Sequence, residues 1–232
     1  MERIEVAGTC EPCPKCGRPT RVVIRSGGAE SLAPIACACA EEEWEAFSAK
    51  CERASIARLA EARRRASFVG ADLSACTFEA SDGKNPELTS ALYSVCQRGV
   101  GAIVHGPRGT GKTYAAAACV NMAVSRGRRA VMGTATEIAN AVFSSRDKNA
   151  EMGRICGCDL LVLDDYGAQR ATDYMREQVF EIVDACYRYR TPMIVTTNLT
   201  VQQMAQSDPR VFERLFERCE RIEASGANRR LS

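Results

Sequence analysis

Eight consecutive residues, Gly106-Pro107-Arg108-Gly109-Thr110-Gly111-Lys112-Thr113, constrain this chain more tightly than anything else in its 232 residues. They match the pattern G-x-x-x-x-G-K-[ST]. A short apolar run, Val100-Gly101-Ala102-Ile103-Val104, precedes them, and the stretch from Lys112 to Arg126, free of Gly and Pro, reads as a helix. In that strand–loop–helix context the spacing has a chemical reason. Glycines allow backbone N–H groups to turn inward around an anion, and the N-terminus of the helix behind them favours negative charge. Lys112 is then placed to reach the β- and γ-phosphates of a nucleoside triphosphate, and the Thr113 hydroxyl to ligate Mg²⁺. A glycine-rich turn with a solvated lysine would need none of the flanking pattern.

The segments on either side continue the alternation. A helical stretch from about Leu88 ends near Gly99. After the Lys112–Arg126 helix come a strand at Ala130–Met132 and a helix at Ala135–Ser144. A strand at Leu160–Leu163, a helix at Ala171–Tyr189, a strand at Met193–Thr197 and closing short helices follow. Apolar strands alternating with amphipathic helices predict an α/β fold with a mainly parallel sheet sandwiched by helices. Hydrophobic residues at 46% and charged residues at 26% exclude wholesale disorder. No apolar run reaches the roughly 18 residues of a membrane span, and the start MERIEVAGTC lacks an apolar signal core. The expected location is the cytoplasm, with no membrane contact. A net charge of +2 leaves any nucleic-acid contact to a local patch.

Two strand ends complete the candidate site. Leu160-Leu161-Val162-Leu163-Asp164-Asp165 is an apolar strand closing on paired acids. Asp164 is placed to hold Mg²⁺, and Asp165 to orient and deprotonate an attacking water. Thr196-Thr197-Asn198 ends the next apolar strand, Met193-Ile194-Val195. Strand C-termini of a parallel sheet collect at one edge, where ligands bind. Asn198 would there position the water or sense the γ-phosphate. The single histidine, His105, reads as a spacer or a purine-side contact rather than a catalytic base.

HGPRGTGKT, LLVLDDYG, MIVTTNLT and the run from Asp208 to Leu215, in that order, resemble the AAA+ ATPases of the DnaC/IstB group, which are P-loop NTPases. The likeness covers about residues 68–230 and is greatest to bacterial and phage replicative helicase loaders. It implies binding of ATP with Mg²⁺ and slow, partner- or DNA-stimulated hydrolysis to ADP and phosphate. It also implies a DnaB-type hexameric helicase and single-stranded DNA as partners, and a homo-oligomer or spiral in the loaded state. Arg214 occupies the position of the group's arginine finger, which reaches a neighbouring subunit's nucleotide and stabilises charge spread over the transferring phosphoryl group. Read from residues alone, the same segment is an Arg/Glu-rich amphipathic helix making solvated ion pairs. Arg146, Lys148 and Arg154 fall where contacts to single-stranded DNA would lie. There are departures: many AAA+ ATPases carry Glu at the position of Asp165, and Arg229 and Arg230 match no lid-domain arginine.

The thirteen cysteines set the first forty residues apart. Cys13-Pro14-Lys15-Cys16-Gly17 is a knuckle with two thiolates two residues apart, and Cys37-Ala38-Cys39 offers a second pair, completing a Cys₄ set for Zn²⁺. Cys10, three residues before Cys13, is a candidate substitute ligand. A redox dithiol would need a thioredoxin-like βαβ unit that is absent around it. So short a segment with few large apolar residues needs a structural metal to fold. Most later cysteines, scattered, read as small buried hydrophobes; Cys156-Gly157-Cys158 is a close pair with no second pair nearby.

From Ala40 to about Ser67, acids come early and Arg63-Arg64-Arg65 late, the order that complements a helix dipole. The arginine run is either that complement or a phosphate binder. Phe68 to Pro86 reads as a linker. The expected organisation is a zinc-binding module at 1–40, a connector helix and linker at 41–87, and the AAA+ domain at 88–232. Some loaders resembling this chain carry such a zinc module, and it implies helicase binding. Two rival functions stay open: an IstB-like transposition helper, and a nucleotide-gated adaptor with negligible turnover.

Overall fold

The computed structural model describes residues 5–26, 29–35, 37–83, 85–168 and 172–226. The chain divides into two compact units, residues 1–59 and 60–232. In the first, β1 (Glu5–Pro12), β2 (Pro19–Ser26) and β3 (Ala29–Pro34) form an antiparallel sheet in that order. These strands were not expected. Only Val22-Val23-Ile24 in β2 is a β-branched run, and its neighbours are too polar to show alternation. The Cys13–Arg18 segment is the hairpin loop joining β1 to β2. There the Cys13 N–H donates to the Arg18 carbonyl at 2.7 Å, and the Gly17 N–H to the Cys13 carbonyl at 2.8 Å. Helix α1 (Ala38–Ala66) starts two residues earlier than expected, so Cys39 lies in its first turn and Arg63–Arg65 in its last.

The second unit is built on five parallel strands in the order β5-β6-β7-β4-β8. Along the chain run α2 (Pro86–Arg98), β4 (Gly101–His105), α3 (Lys112–Ser125), β5 (Ala130–Thr134), α4 (Ala135–Phe143) and α5 (Lys148–Cys156). Then follow β6 (Leu160–Tyr166), α6 (Asp173–Tyr189), β7 (Met193–Thr197), α7 (Val201–Ser207), α8 (Pro209–Arg218) and β8 (Cys219–Glu223). Strand side chains alternate between the two faces. Val131, Leu161, Leu163, Met193 and Val195 pack with α4, α5, α6 and α8, while Ala102, Val104, Val162 and Ile194 pack with α2 and α3. The run Ala115–Cys119 makes α3 narrow enough to lie close on the sheet, and each of these five residues is buried.

Two elements here were not expected. The segment holding Arg146 and Lys148 contains α5, capped by the Asp147 side chain accepting from the Ala150 N–H. A strand also follows α8, where the sequence pattern predicts only short helices. β8 is a polar five-residue edge strand whose register on β4 runs from Gly101↔Cys219 to His105↔Glu223. Gly101 permits this approach, since a Cβ there would stand 2.6 Å from Cys219 Sγ and 2.7 Å from the Met193 carbonyl oxygen.

The segment after Phe68 is irregular but firmly packed. Phe68 bridges to Met132 beside β5, Asn121 Nδ2 donates to the carbonyls of Leu73 (3.0 Å) and Cys76 (2.7 Å), and the Tyr114 hydroxyl to that of Thr77 (3.0 Å). Cys96, Cys119, Cys156, Cys158, Cys186 and Cys219 are buried free thiols. Among the described residues no helix is long and apolar enough to cross a membrane.

Candidate nucleotide site

The glycine-rich loop leaves β4 at the C-terminal edge of the sheet, where β4 lies between β7 and β8 while the chain crosses to β5 at the far side. That reversal opens a crevice between strand ends. The resulting cleft has a volume of about 830 Å³ and is lined by the loop and by the ends of β5, β6 and β7. Gly106 has a φ of +141°, and a Cβ on it would lie 2.4 Å from the Ala224 carbonyl oxygen, so only glycine fits the start of the loop.

Six side chains from three segments converge on this cleft as two linked sets. Thr113 Oγ1 lies 3.1 Å from both carboxylate oxygens of Asp164. The buried Thr196 hydroxyl donates to Asp164 Oδ1 at 2.5 Å and accepts the Asp165 N–H at 2.9 Å. Burial pushes the Asp164 carboxyl above its ordinary range; the two hydroxyls oppose this and the Asp165 charge adds to it. In the second set, Lys112 Nζ donates to the carbonyls of Gly106 (2.8 Å) and Pro107 (2.7 Å) and to Asn198 Oδ1 (2.9 Å). Asn198 Nδ2 in turn donates to Asp165 Oδ1 at 2.8 Å. The lysine predicted to grip phosphate and the aspartate predicted to activate water therefore share one amide.

Adjacent residues of a regular strand face opposite sides, yet Asp164 and Asp165 both line the cleft. The backbone resolves this. Asp165 has a φ of +52°, and the β6–β7 register shifts between Leu163 and Tyr166. This bulge turns the second acid back to the side of the first. A left-handed backbone is tolerated far better by Asp than by longer or branched side chains, which is a local reason for Asp at this position.

Sequence reasoning missed three contributors. Thr196 was recognised only as part of a strand-end triplet, although its hydroxyl serves both acids. The segment read as a linker supplies Leu73, Cys76 and Ala80 to the lining of the cleft. Asn85, immediately before Pro86, carried the cap-then-proline signature of a helix start and could have been found.

The remaining predicted residues lie elsewhere. Arg214 is on α8, outside the cleft lining. Its Nε donates to Asp184 Oδ1 at 2.6 Å, and its guanidinium sits 4.6 Å over the Phe180 ring. Arg154 is engaged by Glu151, Lys148 lies 5.7 Å over Phe143, and Arg146 is exposed. His105 is not part of the lining; its carbonyl accepts the Ala224 N–H at 2.7 Å. Arg229, Arg230 and the side chain of Cys10 lie outside the described residues.

In the N-terminal unit the sulfurs of Cys13, Cys16, Cys37 and Cys39 all lie within 4.8 Å of one another. A tetrahedral Zn²⁺ with bonds of about 2.3 Å needs sulfurs about 3.8 Å apart, so the set fits. The backbone amides of Cys16 and Lys15 point at the Cys13 sulfur and hold its thiol down to about 7, while contact with Cys16 pushes Cys39 up to about 11.

The family model described as "IstB-like ATP binding protein" matches residues 50–232. Escherichia coli K12 YdaV is 31% identical over 103 residues, 43% of this chain and 42% of its own length. The replicative helicase loader DnaC of the same strain is 29% identical over 119 residues, 49% of each chain. The chain thus spans about half the length of these curated relatives or less. A crystal structure of DnaI superposes with a TM-score of 0.59 at 23% identity, covering 72% of this chain and 99% of that one. With the nucleotide loop, the paired acids and the five-stranded order in place, the chain belongs to the IstB-like ATP binding proteins, with a AAA+ domain of the IstB/DnaC type.

Proposed function

We propose that this chain is an ATP-hydrolysing loader that places a DnaB-type hexameric replicative helicase on single-stranded DNA, with ATP binding and hydrolysis switching assembly and release. One observation carries the reading. A single cleft joins Lys112, Asn198 and Asp165 in one hydrogen-bonded set and Thr113, Asp164 and Thr196 in another. The similarity to proteins named as helicase loaders supplies the biological direction.

ATP enters with its β- and γ-phosphates against the loop amides, and Lys112 exchanges the Gly106 and Pro107 carbonyls for phosphate oxygens. The Thr113 hydroxyl and the Asp164 carboxylate would hold Mg²⁺; these are hard oxygen donors side by side, as that ion requires. When bound, it neutralises charge on the phosphates. Asp165, aimed by Asn198, accepts a proton from the attacking water. The water oxygen bonds to the γ-phosphorus, the bond to the bridging oxygen breaks, and ADP and phosphate leave. Arg214, held in place by Asp184 and Phe180, serves the nucleotide of a neighbouring protomer in a homo-oligomer or spiral. The four cysteines hold Zn²⁺ in a module that docks the helicase. Exposed Arg146 and Lys148 contact single-stranded DNA in the cytoplasm, with Arg154 already committed to Glu151.

The test combines phosphate release with co-elution of a hexameric helicase, each with and without single-stranded DNA. Lys112→Ala should lose nucleotide binding, and Asp165→Asn should bind ATP without turnover. Wild-type turnover by Lys112→Ala would overturn the site, and a helicase never retained would overturn the loader role. The short, left-handed Asp165 favours one second reading, a nucleotide-gated adaptor; ATP-dependent helicase binding without phosphate release would select it.

A further inference from the structure

One amide outside the predicted site touches three segments far apart in sequence. Asn85 Oδ1 accepts the Leu88 N–H at 3.2 Å and so caps α2. Its Nδ2 donates to the Thr110 carbonyl at 3.1 Å and to the Ser225 carbonyl at 2.9 Å. The network fixes the orientation of the amide, since Leu88 offers a donor and the other two partners offer only acceptors. Both donors and the acceptor are used.

The consequence for the loop follows from the peptide plane. A trans peptide points its C=O and N–H in opposite directions. Holding the Thr110 carbonyl toward Asn85 therefore aims the Gly111 N–H away from Asn85, and Gly111 lines the cleft. The second donation holds the segment just past β8. Ala224 abuts Gly106, the first residue of the loop, and Asn85 fixes the carbonyl of the next residue, Ser225. Asn85 thus ties the loop near its end at Thr110 and braces the segment that abuts its start.

From the inside it is tied by Lys112, whose ammonium binds the carbonyls of Gly106 and Pro107. Lys112 must give up that tie to meet a phosphate, whereas Asn85 keeps its own. We propose that Asn85 is a positioning residue that pre-forms the phosphate cradle, and that its clamp on Thr110 and Ser225 sets nucleotide affinity. Ordering the loop before binding removes that cost from association. The inference rests on the nucleotide-site reading above.

A rival role is helix capping alone, and two substitutions separate them. Asn85→Ser keeps an oxygen able to cap α2 but has no amide to reach Thr110 or Ser225; Asn85→Ala loses both functions. With the 232-residue chain and fluorescent mant-ATP in Mg²⁺ buffer, Asn85→Ser should raise the Kd about tenfold, as loss of preorganising hydrogen bonds implies. Its melting temperature should stay close to wild type, while Asn85→Ala should be weakened in both. Wild-type affinity in Asn85→Ser overturns the clamp and leaves Asn85 a cap. A wild-type chain that takes up no mant-ATP overturns the nucleotide site itself, and the clamp with it.

Discussion

Thr196 offers the sharpest test of how the acid pair is held. Valine has nearly the shape of threonine, so Thr196→Val leaves no cavity and removes only the hydroxyl. Two interactions go with it: the donation to Asp164 Oδ1 at 2.5 Å and the acceptance of the Asp165 N–H at 2.9 Å. A hydrogen bond to a charged group contributes about 1.5–3 kcal/mol net, and an orphaned buried N–H costs about 1–3 kcal/mol. Part of the first loss is recovered because Thr113 still faces Asp164. The expected destabilisation is therefore roughly 2–4 kcal/mol, or about 4–16 °C in melting temperature for a domain of this size. Thr196→Ser keeps the hydroxyl, loses one methyl group and should cost only about 1 kcal/mol. Denaturant titration under reducing conditions, followed by circular dichroism, measures all three chains. A Thr196→Val protein as stable as Thr196→Ser would show that the hydroxyl does not hold the acids.

Three further outcomes are expected. Elemental analysis should find about one zinc per chain, and Cys37→Ser should release it and unfold residues 1–59 while leaving mant-ATP binding intact; a folded metal-free chain would contradict the cluster. Gly106→Ala places a Cβ 2.4 Å from the Ala224 carbonyl oxygen at a φ of +141°, so calorimetry should record a loss of at least about 2–3 kcal/mol together with lost ATP binding. Burial raises the Asp164 carboxyl above its unfolded value, so the folded chain holds a proton that the unfolded chain has released. In chelator, this group makes stability fall as pH rises from about 4 through the raised value. The wild-type minus Asp164→Asn difference in denaturation midpoint should show that slope, and a difference independent of pH would remove the burial argument.

The sequence alone was enough wherever a residue's own chemistry or spacing carried the information. The glycine loop, the apolar strands beside it and the acids at a strand end were legible because phosphate binding demands particular residues at fixed intervals along one strand–loop–helix unit. The four clustered cysteines were legible for a similar reason, since two close pairs of thiols can supply the four ligands of a tetrahedral metal. What only the fold decided is everything that depends on which distant segments meet. β8 shows no strand pattern and exists because β4 has a free edge to receive it. Thr196 is one threonine among several until β7 lies beside β6, and Asp165 faces its neighbour's side only through a bulge that no local pattern announces. Asn85 became a clamp when Thr110 and Ser225 arrived within reach of one amide. Hydrogen bonds are short-ranged and directional, so their partners are set by chain topology, whereas periodicity and motif spacing are written within a few residues of one another.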